Sequence, residues 1–97
     1  MTKITEYGAY LEDFRAEVIE GLSSALTEYA ATLSDLSYSE DDEGVWVEAI
    51  VHLPDRKDPW VRRRLIIPPQ GPDKDAWLAG TIFSSALTED LDTGRTY

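Results

Sequence analysis

Apolar residues recur at steps of three and four through the first third of the chain: Leu11, Phe14, Val18, Leu22, Ala25, Leu26, Tyr29, Leu33 and Leu36. That spacing is one face of an amphipathic helix. It predicts a helix over 6–35, with Thr5 as N-cap and Glu6 placing negative charge in the first turn. Gly8 and Gly21 weaken such a helix by roughly 0.8–1 kcal/mol each relative to alanine, so a late start or a bend fits the same pattern. The period stops at Ser37-Tyr38-Ser39-Glu40-Asp41-Asp42-Glu43-Gly44, which is polar, acidic and closed by glycine, and predicts a loop over 37–44.

Alternation replaces the helical period from Val45 onward. Val45, Val47, Ala49, Val51 and Leu53 alternate with Trp46, Glu48, Ile50 and His52, a period of two that marks a strand. A turn-rich segment, 54–59, leads to a second β-rich run, Trp60 to Ile67, which Pro68-Pro69 stops. The two runs predict an antiparallel hairpin over 45–67. Its expected core face holds the first set with Val61, Leu65, Ile67 and an intruding Arg63; Trp46, Glu48, Ile50, His52, Trp60, Arg62, Arg64 and Ile66 take the other. Residues 68–72 form a proline-rich linker, Asp73 is a candidate N-cap, and Ala79, Ile82, Phe83, Ala86, Leu87 and Leu91 predict a second helix over 74–91, followed by a tail, 92–97. The expected fold is therefore α+β in the order helix, strand, strand, helix, one domain over 1–97. A two-stranded hairpin is marginal alone, so completion of the sheet by dimerisation across a two-fold axis is an open alternative. This order is too generic to point to a family. The segment Ser23-Ser24-Ala25-Leu26-Thr27-Glu28 recurs as 84–89; a small-residue patch for close helix approach and a duplicated unit both fit it.

Charge changes the picture. The chain has 19 acidic and 9 basic residues, a net charge of −10. Residues 1–50 hold 12 of the acids and 2 of the bases, whereas 51–97 hold 7 of each. A surface that neutralises phosphates draws on Lys and Arg, so direct nucleic-acid binding is not expected. On a helix over 6–35, Glu6, Asp13, Glu17, Glu20 and Glu28 fall within about 80° of one another, at about 100° per residue, and form an acidic ridge opposite the apolar stripe. Glu40, Asp41, Asp42 and Glu43 extend it. The basic cluster Arg62-Arg63-Arg64 is split by strand alternation, and Trp60 with Arg62 and Arg64 forms a candidate second interface, because Trp and Arg are enriched at binding hot spots.

Catalytic chemistry is thin. His52 is the lone histidine and has no nucleophile-elbow context. The 40–44 acids lack the alternating spacing of a calcium loop. The glycines are scattered rather than gathered into a phosphate cradle, and carboxylates on a solvated ridge lack the apolar pocket that tunes an acid or base. No cysteine is present, so thiolate metal sites and disulfides are excluded. No catalytic residue, metal or cofactor is expected, and a small site beneath Trp46 and His52 is the weakest reading. No apolar run approaches a membrane span and Met1 to Glu6 has no signal-type stretch, so a cytoplasmic location is the expectation. The leading functional expectation is a non-catalytic module that binds a basic protein partner through the acidic ridge. Inhibitors and immunity-type proteins that imitate nucleic acid do this. The alternative is a small homodimeric structural or accessory subunit whose acidity serves only solubility.

Overall fold

The apolar stripe of the first segment does form a helix, and the computed structural model, which describes residues 3–93, buries Leu11, Phe14, Val18, Leu22 and Ala25 on its inner face. The helical region is shorter than 6–35 and divided. A four-residue α1, Lys3–Glu6, is followed by α2, Gly8–Glu28, with Tyr7 between them at φ −103°. Thr5 thus lies inside α1 rather than ahead of a helix as its cap. At the other end Ala30 takes a left-handed φ of 53°. Its N–H donates to Thr27 O (3.2 Å) and the Ala31 N–H to Leu26 O (2.8 Å), the paired bonds of a Schellman stop. Leu33 and Leu36, spaced as if to continue the helix, instead pack on the core from a short strand and from the irregular segment after it.

That chain reversal supplies strands the hydrophobic pattern does not announce. β1 is Thr32–Leu33, β2 Ser37–Asp41, β3 Gly44–His52 and β4 Trp60–Ile67. The expected loop over 37–44 is therefore half of a tight antiparallel hairpin, paired from Ser37↔Glu48 to Asp41↔Gly44. Asp42 and Glu43 form its turn, and Gly44 occupies φ +127°, where a Cβ would meet Ile67 O at 2.0 Å. β1 pairs with β3 through Leu33↔Val51 and Thr32↔His52. β4 pairs with β3 from Val51↔Trp60 to Val45↔Ile67. Because β2 and β4 share partners on β3, they lie on opposite edges of it, and β1 continues the β2 edge. The sheet is α+β in setting, wholly antiparallel and three strands wide within the one chain.

The β3–β4 register corrects the expected faces. Val45 pairs with Ile67 but Trp46 with Leu65, so Ile66 is an extra residue, a β-bulge. Ile66 and Ile67 both point inward, and beyond the bulge Trp60, Arg62 and Arg64 share the core face with Val51, Ala49 and Val47. Val61, Arg63 and Leu65 lie with Ile50, Glu48 and Trp46 on the open face. The predicted partition of the second strand is inverted over 60–65.

α3, Ala76–Thr93, is capped by Asp75 rather than Asp73: Asp75 Oδ1 accepts the Leu78 N–H at 3.1 Å. Asp92 and Thr93, expected in the tail, belong to α3; the tail residues 94–97, like Met1 and Thr2, lie outside the described residues. α2 and α3 cover one face of the sheet and run parallel, since contacts progress from Tyr10 with Lys74, through Gly21 with Ser84, to Tyr29 with Asp92. They approach closely because a Cβ at Gly21 would lie 2.4 Å from Ser84 Oγ, and one at Gly80 would lie 2.7 Å from Glu17 Cβ. Phe14 and Phe83 meet between them, ring centroids 5.7 Å apart. The repeated hexapeptide plays two parts: Ser84 is buried at the helix seam, while its counterpart Ser23 is exposed. The small-residue patch belongs to the second copy.

Ala30 and Gly44 make opposite predictions in urea denaturation. Ala30→Gly removes a left-handed penalty of roughly 1–2 kcal/mol and gives back part of it as unfolded-state entropy, so it should stabilise by about 0.5–1 kcal/mol. Gly44→Ala forces a Cβ onto Ile67 O and should cost more than about 2 kcal/mol. An unchanged midpoint for either variant contradicts these backbone assignments.

Candidate functional site: the acidic helical surface

The expected ridge is only partly assembled. Asp13, Glu20 and Glu28 are exposed on α2, on the flank of the helix that runs beside α3. Glu17 is half-buried in the seam, packed on Gly80, with Oε1 3.5 Å from Thr81 Oγ1. Glu6 belongs to α1, beyond the break at Tyr7. The 40–43 acids divide again. Glu40 accepts the Lys3 N–H at 3.2 Å and approaches the Ile4 N–H at 3.5 Å, which occupies it at the start of α1. Asp41 Oδ1 accepts from Trp46 Nε1 and from the Glu43 N–H, both at 2.9 Å; the Trp46 bond, ahead of the Glu43 bond, holds its carboxyl below the usual range. Asp42 and Glu43 are exposed at the hairpin tip, near the N-terminal end of the helices, with Glu28 at the far end of a molecule 42 Å long. The tip and the helical ridge are thus separate acidic surfaces.

What the parallel packing adds lies on α3. Glu89 and Asp92 are exposed beside the seam and border a shallow groove with Gly21, Ser84, Ser85 and Thr88. Neither helix carries a basic residue in its last turn. Both C-terminal ends, where the helix dipole is negative, therefore sit together among acidic side chains. Asp92 accepts from the Tyr29 hydroxyl, and that bond, with lesser help from burial and from the Asp92 and Glu28 charges, pushes the phenol up to about 12. The lone cation of α2, Arg15, is turned the other way and donates from Nε to Asp35 Oδ1 at 2.7 Å, lowering the Asp35 pKa. Asp92 fell in the expected tail, and Glu89, inside the expected second helix, was not singled out; the absence of Lys and Arg from 76–93 was the available signal.

The second candidate interface comes apart. Trp60 is 3% exposed and belongs to the core. Arg62 donates to the buried carboxylate of Asp90 on α3. Arg64 stays exposed, on the edge of the sheet. Arg63 crosses to the open face, where its guanidinium lies 4.0 Å from the Trp46 ring centroid, a cation–π contact. Trp46 and His52 are six residues apart along β3, about 20 Å at 3.3–3.4 Å per residue, so no pocket lies beneath both. Among the described residues no three His, Cys, Asp or Glu side chains gather as a metal-binding group, and no helix is long and apolar enough to cross a membrane.

Two predictions follow the charges. Asp90→Ala would leave Arg62 with a quarter of its side chain exposed and no carboxylate, costing about 3 kcal/mol, the lower end for a broken buried pair. The double change Arg62→Met with Asp90→Leu should recover most of that loss in a double-mutant cycle; additive losses would contradict the pairing. At high pH, burial pushes the Tyr38 phenol up to about 12, above the value near 10 of an unfolded chain. Stability is then full below pH 10 and falls between pH 10 and 12, as the unfolded chain ionises first. Tyr38→Phe loses the bond to Leu11 O, yet its stability should fall less across that window. An equal fall would exclude Tyr38 as a source.

Comparison with protein-family models, with curated proteins and with solved structures yields no match to this chain, so its geometry alone bears on what it does.

Proposed function

We propose that the chain is a non-catalytic protein-binding module that docks the outer α2–α3 surface on a basic surface of a partner protein, as an inhibitor or immunity-type protein that imitates nucleic acid would. One observation carries the reading: the two parallel helices bring their negative ends together, joined by the Tyr29–Asp92 bond, with Glu28 ending α2, Glu89 and Asp92 near the end of α3, and no basic residue in either last turn. Acids at a helix C-terminus are disfavoured by roughly 0.3–1 kcal/mol each. The Tyr29 bond to Asp92 is a local return on that cost; a cationic partner would return the rest. Asp13 and Glu20 extend the same surface along α2. Asp13, Glu20 and Glu28 stand two turns apart in succession, about 10–12 Å along the axis at 1.5 Å per residue. Such a field speeds encounter and makes affinity fall with salt.

The test immobilises the protein in lysate of its source organism at low salt, elutes with a salt gradient, and repeats with Glu20→Lys, Glu28→Lys and Glu89→Lys combined. The expected result is a basic, nucleic-acid-processing partner released at moderate salt and lost at least tenfold by the triple variant, with light scattering showing a monomeric bait. Retention that ignores both salt and charge reversal would overturn the reading. A stable dimer with no salt-sensitive partner would favour an accessory subunit instead.

A further inference from the structure

β4 is hydrogen-bonded to β3 along one side, and its other side is an edge of the sheet. An edge strand presents unpaired N–H and C=O groups to any chain that can lie alongside. Here the edge does not face open solvent. α3 runs above it, and between the second half of β4 and the first turns of α3 lies a groove of about 190 Å³. Its walls include Ile66 and Pro68 on one side and Ala79 and Ile82 on the other. That volume is below the roughly 300–1,000 Å³ of small-molecule sites and suits side chains of an extended peptide. Strand addition beside a helix also supplies main-chain bonds for affinity and pockets for alternate side chains.

Charge identifies the occupant further. Arg62 is held by Asp90, Arg63 lies over Trp46 and 4.0 Å from Asp41, and Lys74 at the rim is 3.5 Å from Asp73. Arg64, also on the groove wall, is exposed and has no carboxylate partner among the described residues. A second copy of the chain is a poor occupant, because symmetric antiparallel pairing of β4 about its middle sets Arg63 of each copy against Arg64 of the other, and like charges facing across strands repel. We propose that the groove takes an extended segment of a partner protein as an added strand beside β4, apolar where it meets Ile66, Ala79 and Ile82, with a carboxylate opposite Arg64. A segment rich in acids would be repelled by the net charge of −10. One carboxylate among apolar residues is favoured, since its attraction to Arg64 acts within the Debye length of about 8 Å at physiological salt.

The inference is independent of the acidic helical surface, and its test separates the two. A random nonapeptide display library is panned on the full chain at 0.15 M salt. Enriched peptides should alternate β-branched or aromatic residues with polar ones and carry a single Asp or Glu. Synthetic versions should bind Arg64→Glu and Ile82→Glu, each shown folded by circular dichroism, at least tenfold more weakly. Replacing the peptide's acid by lysine should restore binding to Arg64→Glu. Amide shifts on binding should fall on 60–67 and on the first turns of α3. The proposal is overturned by no enrichment, by binding that survives both substitutions, by basic peptides whose shifts map to α2 and the outer face of α3, or by a dimer whose β4 amides are already protected.

Discussion

The bulge at Ile66 is the constraint on which the charge layout depends. One residue too many on β4 lets Ile66 and Ile67 both enter the core and shifts every position from 60 to 65 to the face opposite the one continuous alternation would give it. Trp60 then fills the core beside Val51, and Arg62 is carried under α3. A guanidinium there is tolerable only with a partner, because a desolvated charge without one is costly, and Asp90 on the inner side of α3 is that partner. Arg63 is sent outward to Trp46, and Arg64 is left at the sheet edge. Three consecutive arginines thus have three different environments, and none of them forms a common basic patch.

The parallel course of α2 and α3 has an equally broad consequence. Antiparallel neighbours would place opposite dipole ends together; parallel ones gather like ends. Gly21, Gly80 and Ser84 allow the close contact that holds this arrangement, and Phe14 against Phe83 fills the space beneath it. The molecule is thereby polarised across its layers. Acidic side chains dominate the outer helical surface, while β4 carries Arg62, Arg63 and Arg64, two of them committed to Asp90 and to Trp46. The proposed acidic docking surface and the proposed strand-addition groove lie on different parts of this arrangement, one on the outer seam of the helices and one at the sheet edge.

The two helices, the β3–β4 hairpin and most of the core were legible because burial imposes periods of 3.6 and 2 that Leu11 to Ala25, Val45 to Val51 and Phe83 to Leu91 display directly. β2 was not, because it lies at an edge with Tyr38 as its one large apolar residue, against Val47; Ser37, Ser39, Glu40 and Asp41 read as loop. The end of α2 was hidden for a related reason. Leu33 and Leu36 satisfy helical spacing, and the left-handed turn at Ala30 has none of the glycine that usually marks such a stop. Local pattern could not weigh the hydrogen bonds that β1 and β2 gain on β3 against the turns of helix they replace.

By itself, then, the sequence determined the α+β composition, the inner faces of α2, β3 and α3, and the excess of acid in the first half, since these depend only on neighbouring residues and on counting. Tertiary structure alone decided which acids stand together. It consumed Glu40 and Asp41 in hydrogen bonds to Lys3 and Trp46, pressed Glu17 into a helix seam, and brought the acidic end of α3 to the end of α2 through Tyr29 and Asp92, 63 positions apart. It also chose the faces of β4, because a bulge is set by how two strands fit a common core, and that fit is a property of the assembled layers rather than of any one segment.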